Sequence, residues 1–424
     1  MREEFLAALR ADAPRLEADF AAICGCGGRL QGTPSADTAF ALVRELMAPL
    51  GPVEEARTRF HGWTLEAAAI ALPNGTPIPC ASLVGSVPTE EREWEVVDCG
   101  RGAPADIAAA GDRVRGRAVM LRHEYAFSPG TIHRRVKLRA AAEAGAAAVL
   151  MVQPVEGLGP VAGGANSCPV PGFGIGIEGA RALLAAGRGR FRLAARHHPA
   201  AAANLLLDLP GGGPGRVVLS AHLDGHMLAE SAIDNATGVA ALLSLGRAVA
   251  PFLLRLRRGL LLAVFGAEEW SLSGSRAWLA TLPAEARAGM AMNLNLDSIA
   301  GSPNLAALTS GFPALGPFVR AAAGEGVRIH QPISVSSDHA NFAAQGIPAL
   351  RLLAGFDEPE CGLSRLLTAG DTRDRIAPGE LQRATEVAGA ILWRALSAER
   401  AEMAALRDGA EDVGPAVSVL APLP

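Results

Sequence analysis

From about residue 200 onward, short apolar runs alternate with segments whose apolar residues recur at helical spacing. "GRVVLSAHLD" (215–224) predicts a strand ending in polar residues, "ATGVAALLSLGRAVAPFL" (236–253) a helix, and "RRGLLLAVFGAEE" (257–269) a buried strand. The pattern continues with a helix at "SGSRAWLATL" (273–282), a strand at "AGMAMNLNLDSIAG" (288–301), a helix at "FPALGPFVRAAAGEG" (312–326) and a strand at "GIPALRLLAG" (346–355). It closes on one long helix over 378–406. Such alternation implies a mixed, mostly parallel sheet sandwiched by helices, an α/β fold. Residues 82–200 break the pattern and carry strands and helices of their own, so they are expected to form a smaller α+β unit inserted into the larger one. "GGRLQGTPSADTAFALVRELMAPLG" (27–51) reads as turn, helix and glycine stop belonging to the larger unit.

Composition narrows the picture. The chain of 424 residues exceeds the size at which one core stops growing, and half of it is apolar, consistent with one large and one smaller domain. The net charge is −4 with signs interspersed and no basic block, which argues against a nucleic-acid or membrane partner. The N-terminus has helical spacing with charges between, not the apolar core of a signal peptide, and the apolar runs are interrupted before the roughly 18 residues of a span. A cytoplasmic protein is expected. Nothing in the pattern sets an oligomeric state. The six cysteines are scattered, so no disulfide framework is expected, and Cys24 and Cys26 read as buried thiols or part of a Gly-rich turn.

The candidate chemistry gathers where apolar strands end. Asp224, Glu268, Glu269 and Asp297 each follow a predicted strand at its C-terminal end, the rim where open α/β sheets bind ligands. Catalysis by zinc requires a few nitrogen or oxygen donors, an open position for water, and a carboxylate close enough to take that water's proton. His222, Asp234, Glu268, Glu269 and Asp297 supply that inventory. Neighbours such as Glu268 and Glu269 point to opposite faces of a regular strand, so both reach one site only beyond the strand's end. One can then bind metal while the other acts as general base. Asp224, two residues after His222, is placed to accept the imidazole's second N–H and fix its tautomer. A single carboxylate such as Asp234 can bridge two metals about 3.5–4 Å apart.

These pieces resemble the co-catalytic zinc aminopeptidases and carboxypeptidases of metallopeptidase family twenty-eight, clan MH. "AHLD" matches its H-x-D, "AIDNATGVA" its D-D/N-x-x-G, and "FGAEEWSLSGS" its E-E-x-G-L-x-G-S with Ser271 at the first Gly. "NLNLDSI" matches N-x-D-M, and "SSDHANFAAQGIPAL" the S-D-x-x-x-F and G-I-P signature. The resemblance covers residues 20–80 and 200–395. It implies a zinc exopeptidase (phosphorylase/hydrolase-like) fold with its first part at 1–81, a protease-associated (PA)-like domain at 82–200, a second part with the metal site at 201–405, and a C-terminal tail at 406–424 whose last residues, 414–424, are expected to be loose. It further implies that His222 and Asp297 bind one zinc, Asp234 both, and Glu269 the second, with Glu268 as general acid/base and Asp224 orienting His222. The family also tends to hold the bond after its bridging Asp in the cis form, so a cis Asp234–Asn235 peptide is expected.

One motif departs. The family completes its second zinc with the His of H-T-x-x-D-T, and here "LLTAGDT" puts Leu367 at that position, with Thr368, Asp371 and Thr372 retained. Leu cannot bind zinc. Two zinc ions follow from the resemblance if His226 or His339 substitutes as ligand, and one if neither does. Glu230 is a candidate for the substrate's amino group, and Trp270 reads as packing, with an apolar wall against the substrate's side chain as the alternative. "NAT" at Asn235 fits a glycosylation pattern but opens a predicted buried helix. The expected function is a zinc-dependent exopeptidase, an aminopeptidase acting on small peptides. The alternatives are a single-zinc amidohydrolase, a glutaminyl-cyclase-like acyltransferase, or a binding protein that has lost catalysis.

Overall fold

The computed structural model describes residues 1–165 and 167–418. The described residues divide into two compact units: 1–60, 201–366 and 371–418 in the first, and 61–200 with the short segment 367–370 in the second. The passage into the second unit falls at His61, within the long strand Glu54–Ala71, whereas the sequence pattern placed it at 82. A strand of eighteen residues with no turn signal at its crossing point leaves no compositional trace of that boundary.

In the first unit the sheet runs in the order Val327–His330, Leu305–Leu308, Ala349–Ala354, Met290–Leu296, Arg216–His222, Gly259–Phe265, and then the C-terminal part of Arg188–Leu209. The four central strands, Ala349–Ala354 through Gly259–Phe265, are mutually parallel. Leu305–Leu308 pairs antiparallel to Ala349–Ala354, and Arg188–Leu209 antiparallel to Gly259–Phe265, which makes the sheet mixed. Central strands covered on both faces need no alternation, and theirs are nearly continuous apolar runs with every residue of Ala349–Ala354 buried.

The helices Arg2–Ala11, Ala13–Gly25, Thr237–Val249 and Glu380–Ser397 pack together over strands Arg216–His222 and Met290–Leu296. Thr237–Val249 is buried at every position except Arg247, whose guanidinium is held by Asp12 (2.7 Å) and Asp19 (2.7 Å). The stretch Ala232–Arg255 is long and apolar enough to cross a membrane by length and composition, and most of it is buried in this core. A second group, Ser273–Thr281 and His339–Ala343, packs against Ala349–Ala354 and Met290–Leu296.

Two C-terminal expectations change. The single long helix is two, Glu380–Ser397 and Arg400–Ala405, because Ala398 adopts extended backbone (ψ 150°) between them. The last residues, expected to be loose from 414, are ordered at least to 418: Val417 is buried, as are Leu406 and Val413 before it, and Gly414–Ser418 is helical. Alternating charge and small residues hid the three apolar anchors. Residues 419–424 lie outside the described residues.

The second unit has the parallel strands Thr89–Asp98, Ala118–Arg122, Ala148–Gln153 and Gly172–Gly176, with Cys80–Ser82 antiparallel at the edge. Its core includes Leu121, Leu138, Val149, Met151 and Val161. On the helix Arg134–Glu143, Lys137 is buried and ion-paired with Glu124 (2.5 Å), which also takes Arg101 (2.5 Å). All six cysteines are free thiols.

Candidate metal centre

Parallel pairing aligns the ends of the central strands. Phe265 lies opposite His222, and Asn295 opposite Ser220, so the residues that follow these strands emerge side by side at one rim. His222, Asp224, Glu268, Glu269 and Asp297 all arrive there, as the strand-end argument anticipated. Ligand atoms of His222, Glu268 and Asp297 lie within 4.8 Å of one another. His222 Nε2 is 3.1 Å from Asp234 Oδ1 and 3.6 Å from Asp297 Oδ1. The bond between Asp234 and Asn235 is cis. Asn235 is fully buried, donating to the Leu296 carbonyl (2.9 Å) and accepting from the backbone of Gly238 (3.0 Å) and Ser298 (3.2 Å), so its side chain is not open to glycosylation.

Asp224 does a different task from the one expected. His222 Nδ1 stands 3.0 Å from the main-chain oxygen of Asp224 and 3.8 Å from its carboxylate, so the imidazole's second N–H is directed to a carbonyl. That leaves Nε2 to face the other donors. The Asp224 carboxylate instead accepts the backbone N–H groups of Glu268 (3.0 Å) and Glu269 (3.2 Å), and so fixes the turn that carries both. This turn is strained: Ala267 (φ 53°), Ser271 (φ 62°) and Leu272 (φ 59°) are left-handed, as are Ser298 beside Asp297 and Ser231 before Asp234.

Residues to which sequence reasoning gave no role hold the rest. Asp371 is buried, and its two carboxylate oxygens accept from the backbone of Ile233 (2.7 Å) and Asp234 (3.3 Å). Arg29, fully buried, donates to the carbonyls of Leu223 (2.8 Å), Glu230 (2.5 Å) and Ser231 (2.8 Å), clamping the loop between His222 and Asp234. Arg351, on the strand Ala349–Ala354, places Nη2 3.1 Å from Asp297 Oδ1. An Arg inside the apolar run "PALRLLAG" is the signal that could have found it, since a buried charge requires a partner. Asp338, also buried, accepts from the Ser275 hydroxyl.

Glu230 falls differently from expectation, while Trp270 and Leu367 do not. Glu230 is bound by Arg373, whose Nη2 is 2.8 Å away and whose Nε and backbone N–H also donate to it, so its carboxylate is engaged and not presented to an amine. Trp270 is buried with its ring against Phe60 (centroids 5.2 Å apart), in packing and not as an open wall. Leu367 groups with the second unit, where it packs on the apolar core and accepts the Ala162 N–H at its carbonyl (2.6 Å). Of the two histidines considered as substitutes, His226 is buried with Nε2 2.6 Å from Glu269 Oε2. His339 is buried on the other side, near Arg351 and Asp297, and burial together with the Arg351 charge pushes its pKa down to about 3.

The electrostatics suit a cation. Asp224, Asp234, Glu268, Glu269, Asp297 and Asp338 crowd one buried region, with Arg351 as a permanent positive charge among them. Burial, and then like charge from Glu269, raises Asp234, and the same two causes lift Glu268 well above the usual carboxylate range. Burial raises Asp224 to about 7. Asp297 goes the other way: burial would raise it, but Arg351 and His222 hold it well below its ordinary value. His222 is raised, since the carboxylates of Glu268 and Asp297 outweigh burial. One imidazole nitrogen and several carboxylate oxygens, repelling one another in a desolvated pocket, are a donor set that zinc fits.

A rim of parallel strand ends bearing a buried imidazole and carboxylate cluster makes a candidate metal centre on an α/β sheet. Residues 204–392 match the peptidase family M28. Leupeptin-inactivating enzyme 1 from Streptomyces exfoliatus is 36% identical over 159 residues, a match spanning 36% of this chain and 36% of that protein. The fold is similar to the zinc aminopeptidase BSAP from Bacillus subtilis, with a TM-score of 0.72 at 22% identity over 91% of this chain and 96% of that one. It is also similar to a peptidase M28 precursor from Shewanella amazonensis, with a TM-score of 0.75 at 16% identity over 94% and 98% of the two chains.

Proposed function

We propose that the chain is a zinc-dependent exopeptidase, an aminopeptidase that hydrolyses the N-terminal residue of small peptides. The observation that carries this reading is the convergence of His222, Glu268 and Asp297 within 4.8 Å, with Asp234 on the same imidazole nitrogen. Its supports are the family of residues 204–392 and a fold like that of solved proteins named as aminopeptidases.

His222, Asp234 and Asp297 would hold one zinc, and Asp234 with Glu269 the protein's share of a second. Zinc bound there lowers the pKa of a water molecule and polarises the scissile carbonyl. Glu268 accepts the proton of the attacking water and delivers it to the leaving amine as the C–N bond breaks. Burial and the neighbouring Glu269 raise its pKa above the usual carboxylate range. Asp224 acts through others: its carbonyl orients His222, and its carboxylate holds the Glu268 and Glu269 backbone in place. Arg351 keeps Asp297 ionised and aimed.

Glu268→Gln preserves shape and removes the base. Turnover of aminoacyl anilides should fall by about 10²–10⁴-fold or more while bound zinc stays unchanged. A normal rate in this variant would eliminate the mechanism. Cleavage confined to N-blocked peptides would remove the aminopeptidase assignment, and ammonia release from N-terminal Gln peptides without peptide hydrolysis would replace it with cyclase chemistry.

A further inference from the structure

The zinc peptidases that the chain resembles carry a histidine ligand of a second metal where this chain has Leu367, which cannot bind one. Leu367 packs in the apolar core of the second unit with a left-handed backbone (φ 65°), and has no donor atom in its side chain. In the first unit, His226 brings an imidazole nitrogen to Glu269. We propose that His226, from the loop between His222 and Asp234, is the nitrogen ligand of the second zinc, completing a set of Asp234, Glu269 and His226.

The geometry supports this in three ways. First, His226 Nε2 lies 2.6 Å from Glu269 Oε2, and His222 Nε2 lies 3.1 Å from Asp234 Oδ1, so each imidazole meets one carboxylate of its set at close range. Two donors on one tetrahedral zinc at about 2.0–2.2 Å stand roughly 3.3 Å apart, so only a small opening of the His226–Glu269 contact is needed. Second, the position is built. The His226 backbone N–H donates to Ser231 Oγ (3.0 Å), which donates in turn to the His226 carbonyl (3.2 Å). A side chain at Gly28 would meet that carbonyl at 2.5 Å, so the glycine lets the segments close, and Arg29 clamps both ends of the loop. Such backing is what a ligand imidazole requires to hold its orientation. Third, the other histidine belongs elsewhere: the charges that act on buried His339 are those of Arg351 and Asp297, not those of Glu269 or Asp234.

The inference rests on the pocket being a metal site, as in the proposed function, and its test separates the two. Chelator-stripped protein is reconstituted with zinc, and bound metal is counted by elemental analysis while affinities are measured by titration. The unaltered chain should bind two zinc ions. His226→Ala should bind one, with the second weakened by more than about 100-fold, a loss larger than that from removing a residue that merely orients a ligand. His226→Asp, which restores an oxygen donor, should recover part of the second site. Zinc X-ray absorption on the unaltered protein gives a reading free of any folding defect: two ions sharing His222 and His226 average one imidazole per zinc. One zinc in the unaltered chain, two with unchanged affinity in His226→Ala, or an average of half an imidazole per zinc would each overturn the assignment. Two ions with loss of one in His226→Ala but no peptide hydrolysis would keep the ligand and sink the proposed function. Hydrolysis by a one-zinc protein would do the reverse.

Discussion

An imidazole must present one nitrogen and secure the other, and here the Asp224 carbonyl does the securing at 3.0 Å. H-x-D spacing makes Asp224 legible as a partner of His222, but not which of its oxygens is used, because that depends on where the Glu268–Glu269 turn arrives to claim the carboxylate. Asp338 makes the same point about charge. Burial raises it from 3.8 to about 6, so the folded state holds its proton more tightly than the unfolded chain does. Its contribution to stability is therefore lost as pH rises from about 4 to about 6. Asp338→Asn keeps an oxygen for the Ser275 hydroxyl and removes the charge. In chelated protein, urea unfolding should show the variant gaining on the original chain between pH 4.5 and pH 7, and a gain in the opposite direction would contradict the assignment.

At the scale of elements, the decisive piece is the loop from Leu223 to Ser231, which bears His226 and delivers Asp234. It has no regular structure, so its carbonyls need partners from elsewhere, and Arg29 supplies three of them from inside the protein. Arg29→Met leaves those carbonyls unsatisfied and should cost roughly 2–4 kcal/mol in denaturant unfolding. Loss within experimental error would mean the loop holds itself. Pattern reading located the central strands and Thr237–Val249 because their burial is periodic or continuous. It missed Leu305–Leu308 and Val327–His330, which are only four residues each, and the break at Ala398, where Ala has strong helix propensity and only tertiary packing opposes it.

For the whole molecule, two cores imply that the consequences of metal removal are local. Hydrogen exchange after chelation should rise in the segments around 222–235, 266–272 and 296–299, where donors repel once uncompensated, and stay unchanged in Ala118–Arg122 and Ala148–Gln153 of the second unit. Uniform acceleration through both units would refute this. The chain alone determined the sheet class and five of the metal-centre residues, because strand ends are readable from apolar runs and the donors follow them directly in sequence. Tertiary structure alone decided that Glu230 belongs to Arg373, that Arg351 sits on Asp297 and that His226 meets Glu269. Those pairings join residues brought together by separate loops and strands, and no periodicity along the chain encodes which charge will find which partner once water is excluded.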